Sequence, residues 1–355
     1  MHPSRFAPIF RGLTRRFILL AGSVGALGLL MPLARASTED VQAALQKANV
    51  YIEIAKQTER VVESWERYAS WVNMKTGPTG KERYITYGLY EPYDLDDALK
   101  EARAETGKEP RVPKIDAAMT RYIDAYAALA PLVAQASAYY ERYGYKTDNA
   151  REGQALHKKM VPLAKTFLAE RDAMMPELRA FVRDVEQQEV AALETREGRS
   201  TAWHVGRVMH TVNRVIDLFP RNRPQPIDSD TLDQMMQSLG PDTPGETFDQ
   251  IIAGVVPPQN VVIDVTRFGE ALETYAETVD AFDRFAAEKS DELGKFKALP
   301  RQMLAMLREF HAPLTQSKGR EFEGGGQMVG QIVEVYFLMS NTGSEFRSSQ
   351  LRYLP

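Results

Sequence analysis

The chain has 355 residues, a formal charge of −4, 44% hydrophobic and 26% charged residues, and no cysteine. That length can bury a sizeable core, and the balance of apolar and charged residues excludes an intrinsically disordered chain. The missing cysteine excludes disulfides, thiolate metal sites, iron–sulfur clusters and an acylated-cysteine anchor.

Residues 1–36 have the pattern of a secretory leader. Arg5, Arg11, Arg15 and Arg16 form a basic segment with no acid, and an apolar run from Phe17 to Leu33 follows. Ala34-Arg35-Ala36 then gives a small-x-small cleavage site before Ser37. Gly22, Gly25, Gly28 and Pro32 soften the run. They favour cleavage over a retained anchor, so no stable membrane span is expected afterwards. Thr14-Arg15-Arg16-Phe17-Ile18-Leu19 resembles a twin-arginine signal, with the general secretion route as the alternative. Removing the leader deletes five arginines and leaves 39 basic and 48 acidic residues, a net −9. That acidic body disfavours nucleic acid and anionic membrane as partners.

The remaining chain reads as all-α. A first helix is predicted from Thr38 to Asn73, opened by Ser37, Thr38, Glu39 and Asp40. Its early stripe is Val41, Leu45, Ala48, Ile52 and Ala55, and the seam then shifts to Val61, Trp65, Tyr68 and Val72. Ile115, Met119, Tyr122, Tyr126, Leu129, Val133, Ala136 and Tyr140 recur at steps of four and three. Such a stripe must be buried against another helix. Asn149 and Glu152 suggest a capping box opening a helix over 149–197, with Pro162 and Pro176 as candidate kinks. A helix over 201–219 follows. The segment 220–260 holds seven prolines and reads as a connector with one short helix near 230–239. Helices are then predicted over 261–294, 299–316 and 326–341, before a tail over 346–355. The expected fold is an elongated antiparallel bundle of long helices, one domain over 37–345 with the Pro-rich excursion.

The catalytic motifs are weak. Gly77-Pro78-Thr79-Gly80-Lys81-Glu82 mimics a phosphate-binding loop, but Lys75 stands where the first glycine belongs and Glu82 where Ser or Thr belongs. It reads as a turn. Gly324-Gly325-Gly326 with Gly330 follows no strand and reads as a helix start, not a dinucleotide fingerprint. His157, His204, His210 and His311 form no ligand pair at helical spacing. Asp94, Asp96, Asp97, Glu186 and Glu189 read as solvated helix faces. No nucleophile elbow is present.

The unusual stretch is Trp65 to Tyr93, where two tryptophans and five tyrosines fall within 29 residues. One reading is a loop fastened to the helices by aromatic burial. The other is a binding surface of Arg67, Tyr68, Trp71, Lys81, Arg83, Tyr87 and Tyr90, where rings stack and cations recognise anions.

The same stretch resembles the YiiG family (DUF3829), bacterial envelope proteins of unknown function. The matching residues are Asn49, Tyr51, Ile52 and Glu53, then Arg67, Tyr68, Ser70 and Trp71, then Met74, Lys75 and Gly77 through Glu82, and Tyr87 through Tyr90. The segment Gln327–Ser340 is similar to the family's final helix. The resemblance implies an α-helical envelope protein and brings no catalytic residue. Ser37 stands where many members have a lipidated cysteine. The expectation is a soluble periplasmic protein, more a binder than an enzyme, with no cofactor assigned. Its partner would be an envelope protein or a small ligand. The alternative is a cofactor-dependent enzyme exported already folded.

Overall fold

A computed structural model describes residues 38–219, 262–289 and 292–346. Its helices are α1 (Thr38–Gln57), α2 (Glu59–Trp71), α3 (Asp96–Glu105), α4 (Pro113–Glu141), α5 (Tyr145–Asp148), α6 (Arg151–Glu197), α7 (Thr201–Ile216), α8 (Val265–Glu288), α9 (Leu299–Gln316) and α10 (Gly325–Gly343). Among the described residues there is no strand, and the protein is all-α. The leader, its cleavage residues Ala34, Ala36 and Ser37, the connector over 220–260 and most of the tail lie outside the described residues.

The predicted first helix is two helices. The break falls at Thr58, where the seam shifts. The Thr58 hydroxyl donates to the Ile54 carbonyl at 2.6 Å and lies 2.5 Å from the Tyr122 hydroxyl. A threonine hydroxyl that bonds back to the preceding turn competes with the helix ladder and bends it. Beyond the break, Val61, Val62, Trp65 and Tyr68 are buried. The expected capping box at Asn149 is also replaced. Asn149 and Ala150 are both left-handed, with φ of 54° and 60°. The carboxylate that accepts from the Glu152 N–H, at 2.8 Å, is that of Asp148. Serine and aspartate caps at Ser200 and Asp264 open α7 and α8 by accepting from the N–H of Trp203 and Arg267.

The helix α6 runs through Pro162 and Pro176 without interruption. It packs along α4 with contacts that descend one helix as they ascend the other: Gly153 lies against Tyr140, and Phe167 stacks on Tyr122 at 5.4 Å. The core forms two apolar clusters. One is drawn from α1, α2, α4, the first part of α6 and the segments between them; the other is drawn mainly from α7, α8, α9 and α10. The end of α6 reaches α7, where Arg183 pairs with Asp217 at 2.9 Å and the Glu186 carboxylate accepts from Asn213 at 2.7 Å. Glu186 and Glu189 are therefore not solvated: they are 4% and 3% exposed, on the α6 face that α7 covers. The run predicted over 261–294 ends sooner, at Glu288, and a short 3-10 turn over Gly294–Ala298 feeds α9.

Candidate interaction surface

The residues of α2 at steps of three and four make one face. Ser64, Arg67 and Trp71 reach the segment Tyr87–Tyr90, which has no regular structure of its own beyond the turn Ile85–Tyr87. A buried loop must find partners for its backbone groups. Here helix side chains supply them. The Ser64 hydroxyl donates to the Tyr90 carbonyl at 2.9 Å and accepts from the Tyr90 N–H at 3.1 Å, as a neighbouring strand would. Arg67 Nε donates to the Tyr87 carbonyl at 2.9 Å, and the Trp71 indole donates to the Gly88 carbonyl at 3.0 Å. From the other side, the Ser137 hydroxyl of α4 donates to the Leu89 carbonyl at 3.1 Å. The segment is a strap held across two helices, each bond contributing about 1 kcal/mol net.

The seven candidate residues separate accordingly. Tyr68 and Trp71 are core, 0% and 5% exposed, and the expectation that they form surface is corrected. The strap covers Trp71, and packing on Tyr140 of α4 and His157 of α6 covers Tyr68. Trp71 meets Tyr68 and Tyr140 edge-on at 5.2 and 5.0 Å. The Tyr68 hydroxyl lies 3.0 Å from His157 Nδ1. Arg67, Tyr87 and Tyr90 are half-buried, while Lys81 and Arg83 are exposed. The structure adds two residues to them. The Arg60 guanidinium lies 3.9 Å from the centre of the Tyr90 ring, and that of Arg67 lies 4.4 Å from it and donates to the Tyr90 hydroxyl at 2.6 Å. Tyr93, 58% exposed, sits 5.9 Å from the Arg60 guanidinium. The outer face of the strap is thus a phenol ring attended by two guanidinium groups, with Tyr84 stacked on Tyr87 beside it at 5.2 Å. Arg60 and Arg67 are two helical turns apart on α2. That spacing was the signal that could have found Arg60.

The loop before the strap explains its resemblance to a phosphate cradle. The Glu82 carboxylate accepts from the N–H and hydroxyl of Thr79 and, at 2.9 Å, from the N–H of Gly80. The chain's own carboxylate fills the place an anion would take. Gly77 has φ +78°, and a methyl group placed on it would lie 3.0 Å from the His157 ring. Glycine is required there both for the turn and for the close approach.

The buried phenols are held in their neutral form. Burial raises the pKa of Tyr68 and Tyr140 well above the usual tyrosine value, and burial pushes Tyr126 up to about 12. Such neutral phenols do not act as bases near neutral pH. Burial also lowers the pKa of His157, against the opposing effect of its bond to the Met74 backbone. Among the described residues, no group of three or more histidines and carboxylates is placed to hold a metal ion. A second polar centre escaped the sequence reading. Lys47, 0% exposed, donates to the carbonyls of Lys108 and Pro110 at 2.8 Å each and pairs with Asp116 at 3.2 Å. Asp116 also accepts from the Tyr51 hydroxyl at 2.7 Å and the Val112 N–H at 2.9 Å. This centre anchors the 106–112 loop between α1 and α4.

These features define an all-helical protein with an aromatic strap and no assembled catalytic constellation among the described residues. The model of a family described as a protein of unknown function, DUF3829, matches residues 42–241. That is more than half of the chain, and the protein belongs to this family. No curated protein and no solved structure matches it.

Proposed function

We propose that this protein is a non-enzymatic interaction protein of the bacterial envelope, of YiiG type, soluble in the periplasm once residues 1–36 are removed. Its contact surface is the outer face of the strap: Arg60, Arg67, Tyr87, Tyr90 and Tyr93, with Lys81 and Arg83 on the adjoining loop. The observation that carries the reading is the placement of two guanidinium groups over the one Tyr90 ring at a half-exposed site. Tyrosine and arginine together supply rigid, amphipathic contact area, which is why they anchor interfaces. No described helix is long and apolar enough to cross a membrane, which is compatible with release after cleavage. The leader pattern from Arg5 to Ala36 supports export.

The test is capture of partners from the envelope with the wild-type protein and with Tyr87→Ala/Tyr93→Ala, whose rings lie outside the core. The expected result is a partner retained by the wild type and lost by the variant, with unchanged circular dichroism. An identical captured set from both proteins refutes the surface. N-terminal sequencing reads the export directly: Ser37 as first residue is expected, and an intact Met1 in the cytosol defeats it. A second reading, a cofactor-dependent enzyme exported folded, draws on Thr14-Arg15-Arg16. A stoichiometric metal or chromophore in protein purified from its native compartment would replace the first reading with this one.

A further inference from the structure

The mean charge of the chain after residue 36 is acidic, yet the charge is segregated. Two segments, 73–83 and 141–159, carry eight lysines and arginines against four carboxylates, so they are basic in a chain that is acidic overall. The fold brings them together. Gly80 packs on the α5–α6 junction, where a methyl placed on it would lie 3.3 Å from Ala150 Cβ and 3.6 Å from the Tyr145 carbonyl. Gln154 donates to the Pro78 carbonyl at 3.2 Å, and Gly77 lies against His157. Lys75, Lys81, Arg83, Lys146, Arg151 and Lys158, all exposed, therefore share one end of the helical body.

The acids of this end are largely engaged by the fold itself. Glu82 is held by Thr79 and Gly80. Asp148 accepts from the Tyr139 hydroxyl and from the Glu152 N–H at 2.8 Å each, and Glu152 accepts from Arg142 at 3.1 Å. The exposed Glu141 is the remaining carboxylate of the two segments. An aromatic ring stands among the cations: Tyr143 is 49% exposed, and Lys146 Nζ lies 4.5 Å from its centre. Tyrosine is a residue of membrane–water interfaces, where its ring meets the headgroup level and its hydroxyl stays wet.

We propose that this end of the protein docks peripherally on an anionic lipid surface. The cations lie on and beside the turns that close the helices: the Gly77–Gly80 turn, the Tyr143 turn and the left-handed Asn149–Ala150 pair. Projecting turns bearing long flexible cations suit a broad, flat array of negative headgroups. An acidic peptide would instead need a groove to hold its backbone. The acidic remainder of the chain is repelled by the same surface, so the attraction at one end also sets the orientation. The strap surface plays no part in this inference beyond sharing Lys81 and Arg83, and either can fail alone.

The experiment uses the protein recovered from its native envelope and vesicles of phosphatidylcholine, alone or mixed with phosphatidylglycerol. Co-sedimentation is expected with the mixed vesicles and not with phosphatidylcholine alone, weakening as salt is added. Each cation near such a surface is worth about a fivefold factor, so Lys81→Glu/Lys146→Glu weakens binding by about 25-fold or more. Both side chains are exposed, and circular dichroism checks that the fold is kept. Lys295→Glu, exposed on the turn Gly294–Ala298 at the opposite end of α6, should leave binding unchanged. Absence of binding to mixed vesicles overturns the proposal, as does an equal loss in Lys295→Glu. An acidic peptide bound through Lys81 and Lys146 while vesicles are not would assign this end to a protein partner and also overturn it.

Discussion

The two apolar clusters are made from different aromatic residues. The first is rich in tyrosine, and three of its hydroxyls are bonded: Tyr51 donates to Asp116 at 2.7 Å, Tyr122 meets Thr58 at 2.5 Å and Tyr139 donates to Asp148 at 2.8 Å. The second is a phenylalanine core, with Phe219, Phe268 and Phe310 in mutual contact and Phe296 edge-on to Phe282 at 5.7 Å. The clusters also differ in what they cover. The first covers the strap and the 106–112 loop, whose backbone groups need side-chain partners. The second packs helix on helix, and helices satisfy their own backbone. The polar side chains that bond this irregular chain, Ser64, Arg67, Trp71 and Lys47, hold it in one conformation.

The contrast is tested most severely at Asp116. Asp116→Ala leaves the fully buried Lys47 without its counter-charge, and the loss expected is about 3–5 kcal/mol. Phe282→Leu, in the second cluster, keeps an apolar side chain of comparable bulk and should cost about 1.5 kcal/mol or less. Urea unfolding of both variants makes the comparison. Equal losses would mean that the first core does not depend on its polar centre.

The next effect is a pH dependence. Burial holds the pKa of His157 below its usual value, and burial with the nearby Arg199 charge does the same for His204. A histidine with a depressed native pKa binds its proton more readily when unfolded. Stability is therefore full above about pH 6.5 and falls as the pH drops through that value toward the native pKa. The urea midpoint should decrease on acidification, and His157→Gln should flatten part of that decrease. An unchanged slope in the variant would show that burial of His157 does not exclude the imidazolium. The smallest effect belongs to the second core. Tyr275→Phe removes its bond to the Pro300 carbonyl, 3.0 Å long, and should lower stability by about 1 kcal/mol. A loss as large as that of Asp116→Ala would erase the distinction between the two cores.

The strap was legible in part. The aromatic density of Trp65–Tyr93 marked it, and loop fastening was one of its two readings. Which rings face inward was not legible, because Trp71 joins the core only when the strap lies over α2, and Tyr68 only when α4 and α6 pack against it. The break at Thr58 showed in the sequence as a seam shift, but threonine occurs within helices too often for the residue to reveal it. Glu186 looked solvated because its burial depends on α7 lying against α6. Lys47 looked like a surface lysine for the same kind of reason, since its acceptors lie 61 to 69 residues away.

The sequence by itself determined the all-α class, the seams of the long helices and the family. Apolar spacing and local caps act over a few residues and are written in order along the chain. The tertiary structure alone decided the inward turn of Tyr68 and Trp71, the pairing of Lys47 with Asp116, the two guanidinium groups over Tyr90 and the gathering of cations at one end. Each of these joins segments distant in the chain. Their energies depend on distance and exclusion of water, quantities that exist only once the helices have packed.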